Sequence, residues 1–322
     1  ESKEQSGLVF DMAKRSRARR DVNGILVLDK PIGLSSNAAL QEAKRLFYAK
    51  KAGHTGRLDP LATGVLPLCF GEATKFSQFL LDANKRYQAT VTLGVATSTG
   101  DYEGEVIEEK AVDRFNDQEL EAALDQFRGE ISQIPSMYSA LKVNGQPLYK
   151  LARQGIEIER KARQVTIFNL ELLENPGVEL VLDIHCSKGT YIRTLAEDLG
   201  KVLGCGAHVS SLRRNCSGPF GIELAVTLEK LAEIKENSGF LSLDKLLLSP
   251  AAAVQDWPKV ELTEISASYL KQGQPVQIAK APLSGWVRIF SETARSNESQ
   301  FIGVGEIMED GRVAPRKLIA TH

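Results

Sequence analysis

The sequence predicts an α+β fold, with a mixed, largely antiparallel sheet interspersed with helices and followed by a small β-rich unit. Three observations predict it. Arg86 to Gly94 alternates so that Tyr87, Ala89, Val91 and Leu93 share one face, the signature of a half-buried strand. Val143-Asn-Gly-Gln146 carries an Asn-Gly hairpin turn. Strand-like and helix-like segments follow one another in mixed order along the chain.

The elements run as follows. Gly24-Ile-Leu-Val-Leu28 is a short apolar strand, and Ser35/Ser36 cap a helix with Leu40, Ala43, Leu46 and Phe47 on one face. A glycine-rich loop follows, then a buried strand from Gly64 to Phe70 and a helix from Ala73 to Leu81 that turns Phe76, Phe79 and Leu80 inward. After the Arg86 strand, Asn116 to Phe127 is an amphipathic helix and Pro147 to Gln154 a short one ending at Gly155. Gln164 to Leu173 and Glu179 to Cys186 are strands, and Gly189 marks a turn into a helix from Tyr191 to Leu203. From Asn215 to Ala253 the pattern weakens. Beyond it, Val260-Glu-Leu, a helix from Glu264 to Lys271, and strands at 286–290, 301–307 and 313–319 make the accessory unit.

With 322 residues and 43% hydrophobic content, the chain can bury a sizeable core. No apolar run approaches the ~20 residues that cross a bilayer, and the first residues do not read as a signal peptide, so no membrane partner is expected and the cytoplasm is the expected location. The protein proper is read from Met12, and residues 1 to 11 are left out of the fold reasoning. Cys69, Cys186, Cys205 and Cys216 lie far apart without a Cys-x-x-Cys pair, which argues for reduced, mostly buried thiols and against zinc. A net charge of -1 from 40 basic and 41 acidic residues argues against indiscriminate polyanion binding. The cations are clustered, however. Lys14, Arg15, Arg17, Arg19 and Arg20 form one run, Lys44, Arg45, Lys50 and Lys51 a second, and Lys142, Lys150, Arg153, Arg160, Lys161 and Arg163 a third. Any one run is compatible with a solvated surface; three of them flanking candidate site segments point to a phosphate-rich partner.

The segment Lys51-Ala-Gly-His-Thr-Gly-Arg-Leu-Asp-Pro-Leu-Ala-Thr-Gly-Val-Leu66 puts one carboxylate, Asp59, among glycines and a proline. This is irregular backbone held in a chosen shape. Neither phosphate-loop nor dinucleotide spacing is present, and no Gly-x-Ser-x-Gly nucleophile elbow appears. His54 is the lone potential metal ligand beside Asp59 in the loop, so a metal finds no support. An aspartate before a proline can also serve as an Asx turn or helix cap.

The long motifs decide between these readings. Gly53-His-Thr-Gly-x-Leu-Asp-Pro-Leu-Ala-Thr-Gly64, Gly71-Glu-Ala-Thr-Lys75, Lys85-Arg-Tyr87, Gln133-Ile-Pro-Ser-Met-Tyr-Ser-Ala-Leu141, Ser187-Lys-Gly-Thr-Tyr-Ile-Arg193, Gly204-Cys-Gly-Ala-His208 and Leu212-Arg-Arg214 together resemble the bacterial TruB family of tRNA pseudouridine-55 synthases. The C-terminal part looks like a PUA domain, and only the leader falls outside the resemblance. It implies a leader and basic arm over 1–20, a pseudouridine synthase catalytic domain over 21–250 and a PUA-like RNA-binding domain over 251–322.

The activity it implies is isomerisation of a T-loop uridine of tRNA: the base is detached at N1, turned, and rejoined to ribose through C5, with no cofactor. Such chemistry needs a nucleophile that can both form and release a covalent bond, and carboxylates are ordinarily ionised at neutral pH. By the resemblance, Asp59 is the catalytic aspartate, Tyr87 stacks on the uracil, and Arg193 pairs with Asp59 as a bidentate guanidinium. Tyr191 and Leu212 line the uridine pocket, His54 supports a base taken out of the stack, and Lys30 in Leu28-Asp-Lys-Pro31 supports the active-site loop. Arg57 and the connection Ala96 to Gly104 depart slightly from the family pattern and are read as lying away from the chemistry. The implied partner is tRNA through its T-stem-loop, met by a monomer with no guide RNA. Two rivals are an RNA-binding or RNA-folding module and a guide-dependent synthase; a carboxylate beside RNA phosphates has no place in pure binding.

Overall fold

A computed structural model of the chain describes residues 18–113, 115–175, 177–293 and 296–320. Met12, Lys14, Arg15 and Arg17 of the basic arm lie outside the described residues. In chain order the elements are β1 (Gly24–Lys30), α1 (Ser36–Phe47), β2 (Ala52–His54), β3 (Ala62–Phe70), α2 (Ser77–Asp82), β4 (Lys85–Leu93), β5 (Val95–Thr97), β6 (Val106–Glu109), α3 (Asp117–Asp125) and β7 (Gly129–Gln133). They continue as β8 (Lys142–Val143), β9 (Gln146–Pro147), α4 (Leu148–Ala152), β10 (Arg163–Glu174), β11 (Glu179–Cys186), α5 (Ile192–Val202), β12 (Ala207–Ser217) and β13 (Phe220–Gly221). Last come α6 (Leu228–Asp244), β14 (Lys259–Leu262), α7 (Glu264–Lys271), β15 (Gly285–Thr293), β16 (Ser296–Ile307) and β17 (Val313–Leu318).

One sheet runs in the order β1-β3-β12-β4-β11-β10-β7, with β2 on β3 and β13 on β12. Its pairings among the described residues are antiparallel, apart from the parallel pair β12 and β3. The fold is therefore α+β on a mixed, largely antiparallel sheet. Local chemistry explains its best-defined elements. Ser35 accepts a hydrogen bond from the Ala38 amide to start α1, whose buried stripe is Ala39, Leu40, Ala43, Leu46 and Phe47. Asn116 and Glu119 exchange side-chain bonds in a capping box at α3. The core joins Leu26, Leu28, Leu66 and Phe70 to Val91, Leu182, Ile184 and Leu199, each contributing ~1.5–3 kcal/mol by burial.

Several expectations are corrected. The helix expected from Ala73 to Leu81 is a 3-10 turn over Gly71–Phe76 followed by α2, because Thr74 and Ser77 hydroxyls take the carbonyls of Gly71 and Thr74 and hold the chain in tight turns. The weak stretch after Asn215 contains α6, interrupted at Gly239 (φ 73°, ψ -170°), which shifts the apolar stripe out of register. Strand β12 lies in the middle of the sheet where no strand is predicted: bulges between Val209 and Ser211 and between Arg214 and Cys216 break its alternation.

The C-terminal strands form a second sheet, β14-β15-β16-β17, over its own core of Val260, Leu262, Leu270, Val287, Ile289 and Val313. It is joined to the first by a shared cluster in which Phe76 and Leu80 meet Phe301 and Val304. Phe79 lies with its ring centroid 4.9 Å from that of Trp257 and 5.6 Å from that of Trp286. Lys75 donates to the Leu318 carbonyl at 2.8 Å, and Lys317 to the Lys75 carbonyl at 3.0 Å. Among the described residues no helix is long and apolar enough to cross a membrane.

Candidate active site

The loop from β2 to β3 is clamped along its length. Thr55 is fully buried and sends both its amide and its hydroxyl to the Pro67 carbonyl, at 3.0 and 3.1 Å. Ser36, in the first turn of α1, accepts from the Leu58 amide at 2.8 Å and donates to its carbonyl at 3.2 Å. Asp59-Pro60-Leu61-Ala62 then closes as a turn through Ala62 N to Asp59 O at 3.0 Å, with Pro60 at the position where its fixed φ is suited. Gly64 (φ 101°) lies so close to β12 that a Cβ would stand 2.2 Å from the Arg214 carbonyl oxygen, so glycine is required there. The loop begins as strand β2 at Ala52–His54, and its irregular part is confined to 55–61.

This clamping leaves the Asp59 carboxylate 45% exposed in a cleft of about 730 Å³ lined also by His54, Arg57, Asp101, Tyr138 and Arg193. Arg193, in the first turn of α5, is nearly buried. One terminal nitrogen stands 3.0 Å from Asp59 Oδ2; the other stands 3.3 Å from Asp101 Oδ2 and donates to the Thr99 carbonyl at 2.9 Å. The guanidinium is thus shared between two acids, where a bidentate pair with Asp59 alone is the expectation; Tyr138 O, accepting at 3.3 Å, further fixes it.

Asp101 is the residue that the motif reading misses, since Ala96 to Gly104 is read as remote from the chemistry. Its carboxylate is 4% exposed, and Oδ1 accepts from the Thr99 hydroxyl at 2.5 Å and the Glu103 amide at 3.1 Å. The signal available in the sequence is Gly100: at φ 75° it lets the connection pass against α5, where a Cβ would lie 2.8 Å from Glu197 Oε1 and 3.3 Å from Arg193 Cβ. A glycine demanded by close approach delivers the next residue to the same place.

The structure brings His54, Asp59 and Arg193 into the cleft lining, sets Lys30, Tyr87 and Tyr191 near enough for the Asp59 charge to act on them, and pairs Leu212 with Ala62 at the end of the loop. His54 is half-buried with Nδ1 unpartnered; burial lowers its pKa and favours the neutral ring. Lys30 ends β1 fully buried, its ammonium donating to the Pro31 and Leu34 carbonyls at 2.9 and 2.6 Å. Burial pulls its pKa down to about 8, against the opposing attraction of Asp59. Tyr87 is 8% exposed on β4, opposite Arg214; burial pushes its phenol up while the Arg214 charge pulls the other way. Tyr191 caps α5, its backbone held by the Gln133 side chain at 3.0 and 3.2 Å, and its phenol too is pushed up by burial. Leu212 packs in the main core between Ala62 and Ala89.

The basic runs are partly spent internally. Arg20 pairs with Asp244 and stacks 4.4 Å over the Phe240 ring, Lys50 pairs with Asp21 at 2.7 Å, and Arg45 pairs with Glu42. In the third run Arg160 meets Glu157, while Lys142, Lys150, Arg153, Lys161 and Arg163 are exposed. Cys69, Cys186 and Cys205 are buried free thiols and Cys216 is half-buried; burial drives Cys69 to about 12 and Cys186 to about 11. Among the described residues no cluster of three or more His, Cys, Asp or Glu side chains is placed to hold a metal ion.

Residues 44–192 match the TruB family pseudouridylate synthase N-terminal domain, residues 193–255 the tRNA pseudouridylate synthase B C-terminal domain, and residues 258–319 the pseudouridine synthase II TruB C-terminal domain. The chain is 57% identical over 310 residues to the tRNA pseudouridine synthase B of Ectopseudomonas mendocina, covering 96% of this chain and 99% of that protein. It is 53% identical to that of Serratia proteamaculans, covering 97% and 99%. Among solved structures, an archaeal box H/ACA sRNP Nop10-Cbf5 complex contains a chain that superposes with a TM-score of 0.68 at 25% identity, covering 92% of this chain and 86% of that one. A chain of a Cbf5-Nop10-Gar1 complex gives 0.69 at 27% identity, covering 92% and 84%. Three consecutive domain matches and full-length identity above one half place the Asp59 cleft in a known setting: the chain belongs to the TruB family of pseudouridylate synthases.

Proposed function

We propose that this enzyme acts on uridine 55 in the T-loop of tRNA, extrudes the base, and isomerises it through a covalent bond to Asp59. Conversion of tRNA uridine to pseudouridine is the activity of the family; the position, the extrusion and the residue roles are our reading. The observation that carries it is the Asp59–Arg193 pair: an accessible carboxylate 3.0 Å from a nearly buried guanidinium that Asp101 and the Thr99 and Tyr138 carbonyls hold in place. A nucleophile that is positioned yet accessible is what bond formation and release demand. Tyr87 supplies the ring on which the uracil stacks and Tyr191 and Leu212 shape the pocket. His54, neutral and in the cleft lining, supports the vacated position of the T-loop, and Lys30 props the loop from beneath.

The exposed cations Lys142, Lys150 and Arg153 grip phosphate, and residues 251–322 act as a PUA-like RNA-binding unit beside a catalytic domain over 21–250. We read the enzyme as a cytoplasmic monomer that selects its own substrate without guide RNA, by loop shape and splayed bases. Full-length similarity to proteins named tRNA pseudouridine synthase B supports this choice over the guide-dependent arrangement. An isolated T-stem-loop hairpin should be converted, with pseudouridine detected as a carbodiimide adduct. Equal conversion of an unstructured oligonucleotide of the same sequence would overturn recognition of the T-loop.

A further inference from the structure

Arg214 and Lys30 head the largest fully buried side chains among the described residues, and both are cations. A cation in a low-dielectric interior must be met by acceptors, and how they are arranged shows what holds it there. The Lys30 ammonium is met by two carbonyls of its own segment. Arg214 reaches carbonyls on two other segments. Its Nε donates to the Val65 carbonyl on β3 at 2.7 Å, and its Nη1 to the Arg57 carbonyl, two residues before Asp59, at 3.4 Å. The loop backbone lies against the guanidinium at Gly56, where a Cβ would stand 3.6 Å from Nη1.

Its Nη2 has no partner at hydrogen-bond geometry. In the sheet register Arg214 sits between Gly64 of β3 and Tyr87 of β4, and after burial its charge is the largest influence on the Tyr87 phenol, with a weaker donor contribution. The guanidinium is therefore close enough to act on that phenol without a fully formed bond. We propose that Arg214 is a positioning residue for the isomerisation: its rigid fork registers the Asp59 loop against β3 and, from its place opposite Tyr87 in the sheet, sets the Tyr87 ring against that loop. Lysine is not equivalent, because one ammonium on a flexible stem cannot reproduce the fixed spacing of the Nε and Nη1 donors that meet the Val65 and Arg57 carbonyls. The proposal rests on the reading of Tyr87 as the stacking ring and adds a device that fixes the distance between ring and nucleophile.

The test is a double-mutant cycle in the full chain. Arg214→Lys and Arg214→Met are each made in the wild-type and Tyr87→Phe backgrounds, and followed by thermal unfolding, tRNA affinity and single-turnover pseudouridine formation. In the wild-type background we expect Arg214→Lys to fold, to bind tRNA within about threefold, and to lose at least about tenfold in rate, whereas in Tyr87→Phe the same change costs less than about threefold. Equal losses in both backgrounds, or a wild-type rate in Arg214→Lys, would overturn the proposal. Failure of both variants to fold would make Arg214 a purely structural cation and overturn it as well. A Tyr87→Leu variant with a wild-type rate would remove the reading of Tyr87 itself, a result distinct from equal losses in the cycle.

Discussion

Arg193 divides its guanidinium between Asp59 and Asp101, at 3.0 and 3.3 Å, and is itself pinned by the Thr99 and Tyr138 carbonyls. The accessible acid is thus aimed by a cation that the buried acid holds in place. Asp101→Asn keeps the shape and removes that charge, so the rate constant should fall by about 10- to 100-fold with little change in KM. Stability should drop by about 1–3 kcal/mol, the cost of weakening a buried charged network, measurable in urea. An unchanged rate would show that Arg193 needs no second acid.

Asp59→Asn nearly preserves size and hydrogen bonding while deleting the anion. RNA binding and thermal stability should stay near wild type, with pseudouridine formation undetectable. Turnover within about tenfold of wild type, a barrier change of only ~1.4 kcal/mol, would be incompatible with nucleophilic catalysis. Joint loss of fold and binding would instead favour a structural cap.

Lys30 makes stability depend on alkaline pH in a definite direction. Its pKa is about 8 in the folded chain against an ordinary 10.5, so between these values the unfolded chain binds more protons and stability rises with pH; below 8 the full cost of burying the ammonium is felt. The stability of wild type relative to Lys30→Met should therefore grow from pH 8 to 10.5, by at most about 3 kcal/mol. A flat difference across denaturant titrations in that range would contradict it.

Exposed Lys142, Lys150 and Arg153 predict a steep loss of tRNA affinity with salt, as neutralised phosphates release their counterions. Reversing these three charges should flatten the salt slope by about three units without changing which uridine reacts. Salt-independent affinity, read by filter binding, would remove this role.

The rearrangement is redox-neutral, and the cysteines and histidines lack ligand spacing. Activity on tRNA kept folded by monovalent salt should survive exhaustive chelation. Loss rescued by one specific metal would contradict that expectation.

What could be read from the sequence follows from how local each signal is. The Ser35 cap and the Leu40 to Phe47 stripe define α1 within a dozen residues, and the alternation of β4 is complete in nine. Strand β12 carries neither signal: its burial does not alternate, it is bulged twice, and it holds Arg213 and Arg214 where an apolar run would be expected. Asp59 and Arg193 are legible because they lie in long motifs. Asp101 is not, because its role exists only once Gly100 lets its turn approach α5. The sharing of Arg193 is likewise a property of three distant segments that no single window contains.

Strands β3 and β4 are close in sequence, yet β12 lies between them in the sheet. They cannot close on each other and must wait for a strand made much later in synthesis. A nascent chain that stops short of Ala207 would carry two unsatisfied strand edges through its middle, a template for aggregation as well as for completion. The high contact order of this insertion makes folding slow by topology alone. Because β12 also delivers Arg214 against Gly64 and Tyr87, a strand made after both of its neighbours is the one that draws the end of the Asp59 loop and β4 into register. Until Ala207–Ser217 is made, neither strand has the neighbour that both pair with in the finished sheet.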